Sequence, residues 1–491
     1  MKNEFKYEIW DLTKYIVKLE SKLNNLTKYD LEKISGGIVN RKFAANSLVG
    51  LSFFMGLTNC ANITASANMP AYISQSKVEN QSVNFEITKK QALEDINYVL
   101  KVIKDNHASS IEKIPDEVIK QSKIEIENLK GNVTIVEEWR IISRILSKLH
   151  DAHTRVLSPE FLDKRLPLDT KYDCGKIICE TGNYKNCEII AINDISIQEL
   201  YKNFQNHFSY EIEEWTEHNF FETPSNFIPE WKLALCGIDT SKTVKVSFRI
   251  SSEIKDDYFD MSEIKTLNAN SEYWISYKID EKNNLGIFKL NLCQFNDEYM
   301  QTFLKFLKEI SEKKIKNIAI DLRKNVGGDS QVVQAFALAL KRLSGLKAIE
   351  YDIRDGNSLL KGSCYLNKNY VERCRIECLG KNYNRNILFD GNLFLLTSHQ
   401  TFSSGLLFAE IFQDNDLGTI VGEVPGNSPE HFGNLTSVDF KTPHSQLNFK
   451  TTFKKFYRID KSKSRVKLIP DIQTPAKNAL NKVYEIIGKQ V

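Results

Sequence analysis

Gly391-Asn-Leu-Phe-Leu-Leu-Thr397-Ser-His-Gln-Thr401-Phe-Ser403-Ser-Gly-Leu-Leu-Phe-Ala-Glu410-Ile-Phe-Gln413 reads as strand, turn and helix. Leu393 to Leu396 is a short apolar run of the kind that forms a buried strand, and Leu406 to Phe412 has the apolar spacing of a helix. The polar turn between them holds Thr401, Ser403 and Ser404. A serine there stands at the positive end of a helix, beside backbone N–H groups that have no partner within the helix. Such a place suits a nucleophile whose product is an oxyanion. It equally suits a serine that only caps the helix. The stretch alone favours the cap.

Outward from this turn, strands and helices alternate. Leu285 to Leu290 is a strand, Tyr299 to Lys313 a helix, Ile315 to Asp321 a strand, Gly327-Gly328 a tight turn, and Gln331 to Leu343 a helix. That alternation predicts a mostly parallel sheet with helices packed on it, an α/β core over 273–491. Residues 351–384 are polar and cysteine-rich and read as an insertion. Before the core, 68–165 is a helical domain, with a polar linker over 68–90. Residues 166–272 form a small β-rich domain, with a hairpin turn at Gly182-Asn183 and loop over 255–272. Strands return from Thr436 to Phe456.

The 491 residues have room for two or three domains, and 42% hydrophobic with 26% charged residues is an ordinary globular balance. A net charge of +3 and the lack of a basic stripe with interleaved aromatics argue against nucleic acid. Nine cysteines are present, and neither Cys174/Cys179 nor Cys374/Cys378 has the paired spacing of a zinc site. The sequence predicts no metal and no cofactor.

The N-terminal region carries two export-like signals. Leu26, Asp30, Leu31 and Ile34 precede Gly36-Gly37 at the spacing of a double-glycine leader, and residues 1–37 resemble that bacterial export signal. Over 38–67 follow Arg41-Lys42, an uncharged apolar stretch, and the small residues Ala65-Ser66-Ala67 expected at a signal-peptidase site. Both imply a bacterial protein that is secreted or held in the cell envelope. The leader implies a peptide-exporting ABC transporter as partner. No other segment has the makings of a membrane span, so none is expected after processing.

Two further stretches bear on Ser403. Asp321-Leu-Arg323-Lys-Asn325-Val-Gly327-Gly328 follows a strand, and its glycines let backbone N–H groups face a ligand. Asp151-Ala-His153-Thr154 follows a helix and offers a histidine as general base. Together with Glu188-Ile-Ile-Ala-Ile-Asn193-Asp194, Val421-Gly422-Glu423 and Pro470-Asp471-Ile472, these stretches stand in the order of the S41 family of serine peptidases, which the chain resembles from about Thr88 to Gln473. The resemblance implies a ClpP/crotonase-like β-β-α superhelix core. It also implies Ser403 as nucleophile, His153 as base, and an oxyanion hole from the N–H groups of Gly327 or Gly328 and of Ser404.

One branch of the family uses a lysine whose place here falls near Ser428, and Gly422 to Gly433 contains no lysine. The resemblance is therefore to the histidine-using branch, which includes the tricorn-type and interphotoreceptor-retinoid-binding-protein-like members. That branch orients its histidine with a glutamate shortly before the Pro-Asp motif, and Ser462 to Pro470 has none. Asp460 and Glu423 are the candidate acids, and His399 and His431 read as flanking residues of the surface or substrate contact. The expected function is an exported serine endopeptidase acting on peptides or unfolded protein segments. The alternative is a non-catalytic module of the same fold that binds peptide or apolar ligands, and a third reading is an esterase.

Overall fold

The computed structural model describes residues 85–488 apart from 174, 223–226, 264–272, 342, 344–346, 348, 364–374, 376–384 and 436–438. Both export-like signals lie outside the described residues, as do Cys60, Cys174, Cys364, Cys374 and Cys378.

The core is a six-stranded sheet in the order Ile275–Asp280, Leu285–Leu290, Asn317–Asp321, Asn392–Thr397, Thr419–Gly422, Ile472–Gln473. The first pair is antiparallel and the other four pairings are parallel. Side chains alternate across it, as the period of a strand requires. Ile318, Ile320, Leu393, Leu395 and Ile420 face one apolar layer with Phe303, Phe306, Leu406 and Phe412. Ala319, Phe394, Leu396 and Val421 face a second layer with Ala479, Val483 and Ile487 of the helix Ala476–Gly488. Burial on both faces explains why these strands read as continuous apolar runs.

The helix Asp297–Glu312 starts where the Asn296 side chain accepts a hydrogen bond from Tyr299 N–H, with Asp297 and Glu298 in its first turn. Its buried Phe303, Phe306, Leu307 and Ile310 stabilise the layer by roughly 2 kcal/mol each. The helix expected over Gln331–Leu343 stops at Leu338, because Leu340 leaves it to pair with Phe389.

The helices Lys89–Asn106, Asp116–Asn128 and Ile135–Ser147 precede an antiparallel sheet in the order Glu253–Phe259, Val244–Ile250, Glu188–Ile192, Lys176–Cys179, Arg165–Asp173, Phe227–Pro229. These helices and this sheet share one hydrophobic core, from Ile96 and Trp139 to Ile189 and Phe248. The loop expected over 255–272 is in its first part the strand Glu253–Phe259. Its polar run misled because an edge strand with exposed faces needs no apolar alternation. Gly182 begins a short 3-10 turn that joins two antiparallel strands, as the hairpin reading requires. The stretch read as an insertion opens with the hairpin Glu350–Asp355 and Ser358–Ser363, whose first strand pairs with Thr452–Tyr457. Among the described residues, no helix is long and apolar enough to cross a membrane.

Candidate active site

Ser403 ends the turn after the strand Asn392–Thr397 and precedes the helix Ser404–Asp414. Its backbone has φ 53° and ψ −121°, and its side chain makes no cap hydrogen bond. A β-substituted residue at such angles carries strain, and a serine at a strained strand-to-helix turn is the arrangement of a nucleophile elbow. The neighbours hold it there. Phe402 N–H donates to Asn325 O (2.9 Å), and Gly426 N–H donates to Thr401 O (2.8 Å). Ser403 N–H donates to Asn427 Oδ1 (2.5 Å). Ser403 is half-buried, and its Oγ makes no hydrogen bond among the described residues.

The glycine loop lies directly against this turn. A Cβ on Gly327 would stand 2.5 Å from Ser403 Cβ and 2.9 Å from Phe402 O, and Gly327 has φ +95°. Only glycine fits there. Asn325 braces the loop: its Oδ1 accepts from Gly327 N–H (2.8 Å), and its Nδ2 donates to Leu290 O (2.8 Å). Gly327 N–H is therefore engaged and unavailable as an oxyanion donor. Gly328 N–H and Ser404 N–H have no partner among the described residues, while Ser404 Oγ donates to Gly328 O (2.6 Å).

His153 arrives from the other side. The helix Ile135–Ser147 is capped by Thr134 and buries Trp139, Ile142 and Leu146. His150, at φ 49°, then reverses the chain into Asp151. Asp151 is fully buried, and its carboxylate organises the turn. It accepts from His153 N–H (2.9 Å), Thr154 Oγ1 (2.5 Å), Thr452 Oγ1 (2.7 Å) and His107 Nε2 (3.2 Å). Burial pushes this carboxyl up, but hydrogen bonds and charge from His107 and His153 outweigh it and hold it well below the usual range.

The His153 ring packs at 4.7 Å on Phe402, the residue before the serine, and stacks at 6.0 Å on His431. Its Nδ1 is 3.7 Å from Asp151 Oδ1, and neither ring nitrogen has a hydrogen-bond partner among the described residues. His431, read from sequence as a flanking residue, is buried. Burial and the neighbouring His153 push it down to about 3.

The two acids proposed from sequence are elsewhere. Asp460 caps its own turn by accepting from Ser462 N–H and Oγ, beside Lys463. Glu423 Oε1 accepts from Ala476 N–H at the start of the last helix. The acid that joins Asp151 at the site is Glu211. One Glu211 carboxyl oxygen, one His153 ring nitrogen and one Asp151 oxygen all lie within 4.8 Å of one another. Glu211 Oε1 accepts from Ala152 N–H (3.0 Å) and Oε2 from Asn427 Nδ2 (2.9 Å). Burial and the Asp151 charge push its carboxyl up to about 8 against these two hydrogen bonds. A metal ion at this trio would compete with hydrogen bonds that Asp151 and Glu211 already accept. Glu211 and Asn427 had no signal as site residues in sequence, since their place there rests on contacts with distant segments.

A strained serine, N–H donors beside it with no partner among the described residues and a histidine packed on the same turn are the parts of a serine hydrolase. Residues 286–474, less than half of the chain, match the Peptidase_S41 model, described as Peptidase family S41, and with that match the parts make this a serine-type peptidase. The match takes in the glycine loop and Ser403 and leaves His153 outside. A search of curated proteins found no match. The fold is similar to that of mature CPAF complexed with lactacystin, at 13% identity and TM-score 0.56, over 82% of this chain and 97% of that one. A second structure of mature CPAF gives 13% identity and TM-score 0.56, over 82% and 96%. At such identity the likeness concerns fold alone.

Proposed function

We propose that this chain is an endopeptidase acting on peptides or unfolded protein segments, with Ser403 as nucleophile and His153 as general base. The observation that carries the reading is the Ser403 backbone, strained at φ 53° and ψ −121° against a glycine that no other residue can replace. A mere cap has no use for that strain, and this serine makes no cap hydrogen bond.

In this mechanism His153 takes the Ser403 proton as Oγ attacks the scissile carbonyl, then returns it to the leaving amine. The tetrahedral oxyanion is held by Gly328 N–H and Ser404 N–H, each worth about 3 kcal/mol. Gly327 serves by its missing side chain. His153 and Ser403 are not hydrogen-bonded in the free site, and such contacts commonly tighten when substrate binds. The lack of a lysine over Gly422–Gly433 supports the histidine-using branch of the family, and the strand–helix repeats around the parallel sheet agree with a β-β-α superhelix. Export through the leader or signal-like segment, and a transporter partner, belong to the same proposal.

Fluorophosphonate labelling with a peptide library tests it. Wild-type protein is expected to label at Ser403 and to cleave peptides. Protein that neither labels nor cleaves leaves the ligand-binding reading. Cleavage of esters alone leaves the esterase. An N-terminus at Ile38 or Asn68 in the secreted protein supports export, and an intact Met1 overturns it.

A further inference from the structure

The hydrogen bond from Ser403 N–H starts a chain with a fixed direction. Its acceptor must be the Asn427 carbonyl oxygen (2.5 Å), which settles which end of that amide faces the serine. Asn427 therefore presents Nδ2–H on its far side, and Glu211 Oε2 receives it at 2.9 Å. The other Glu211 oxygen receives Ala152 N–H at 3.0 Å, one residue before His153. Two donors converge on one side chain, so it must accept at both ends, and a carboxyl group with two oxygens does this where an amide cannot. The next turn of chain locks Glu211 in place. Trp215 stacks at 4.1 Å on Phe402, and a Cβ on Gly426 would meet its ring at 2.5 Å.

We propose that Glu211 is a positioning residue of the peptidase site. Through Asn427 it fixes the Ser403 backbone, and through Ala152 it fixes the His153 turn, so that two segments far apart in sequence keep one geometry. The inference rests on the Ser403–His153 reading above.

The experiment reverses the middle link of the chain. In E211Q the introduced amide has one acceptor where two donors arrive. Assayed at pH 9, where the Glu211 carboxyl is ionised, N427D sets a second acceptor against the Glu211 carboxylate. In the double variant E211Q/N427D every link is restored, the one between 427 and 211 with its direction reversed. The introduced carboxylate accepts from Ser403 N–H and from the introduced amide, whose oxygen accepts from Ala152 N–H. Each single variant is expected to lose about 100-fold in kcat with KM within about 3-fold of wild type. Fluorophosphonate labelling of Ser403 should slow in parallel. The double variant is expected to regain at least about 10-fold over either single variant, as coupled residues do.

Wild-type kcat in E211Q overturns the proposal. So does a folded double variant no faster than the slower single. Should E211Q fail to fold, N427D against the double variant decides alone. Activity that survives Ser403→Ala instead shows that the peptidase reading has failed, and this proposal with it.

Discussion

The Ser403 side and the His153 side of the site are built differently. The Ser403 side comes from two neighbouring parallel strands, Asn317–Asp321 and Asn392–Thr397, and the loops that leave their ends. Its fixed points are mostly backbone, the Asn325 carbonyl, the missing side chain of Gly327 and the first turn of a helix, with the Asn325 and Asn427 side chains as braces. The His153 side is held by side chains from far away. Thr452, 301 residues on, supplies one donor to Asp151, and Asn427 reaches Glu211 across 216 residues. A backbone-built half tolerates few substitutions but needs few partners. A side-chain-built half depends on several segments arriving together.

The sharpest break between the halves is chemical. Ser403→Ala should remove fluorophosphonate labelling and lower kcat by about 10⁴-fold or more. His153→Ala should lower kcat by about 10³-fold and remove the acid limb of the pH–rate profile. An unchanged profile would show that another group takes the proton. Gly327→Ala tests the backbone half, since its methyl would meet Ser403 Cβ at 2.5 Å. About 100-fold loss of kcat/KM is expected there, with stability lowered by roughly 2 kcal/mol in urea unfolding. Thr452→Val tests the side-chain half. It removes one of four donors to Asp151, and a loss of about 1 kcal/mol with less than about 10-fold in kcat is expected.

The smallest effect concerns His431. Unfolded, it takes a proton near pH 6.5, whereas folded it stays neutral down to about 3. Between those values the unfolded state binds more protons, so stability falls as pH drops below 6.5. His431→Phe should flatten that slope, keeping about 1–2 kcal/mol at pH 5 relative to wild type. Parallel melting curves from pH 5 to 7.5 would show otherwise if the two slopes coincide.

The same division explains what could be read from sequence. Strand periodicity, the glycine loop and the Ser403 turn were legible because each is a local pattern, and the parallel sheet follows from their alternation. His153 was legible as a motif. The acid was not, and Asp460 and Glu423 were misplaced because nearness to a motif in sequence says little about which carboxyl arrives in space. Glu211 sits in Tyr210-Glu-Ile-Glu-Glu-Trp215, where nothing sets it apart from Glu213 or Glu214. His431 looked like a surface residue because a histidine in a polar loop carries no sign of burial.

Phe402 has a consequence for how the enzyme loses activity on heating. Its ring belongs to the N-terminal apolar core, while Leu406, four residues on, belongs to the core beneath the parallel sheet. The serine between them is thus clamped across a seam, and its strained torsion lasts only while both sides grip. Loosening of either core should relax Ser403 before any helix or strand has melted. Catalysis should fade below the melting temperature read by circular dichroism, and return on cooling, because what yields first is one peptide unit under tension.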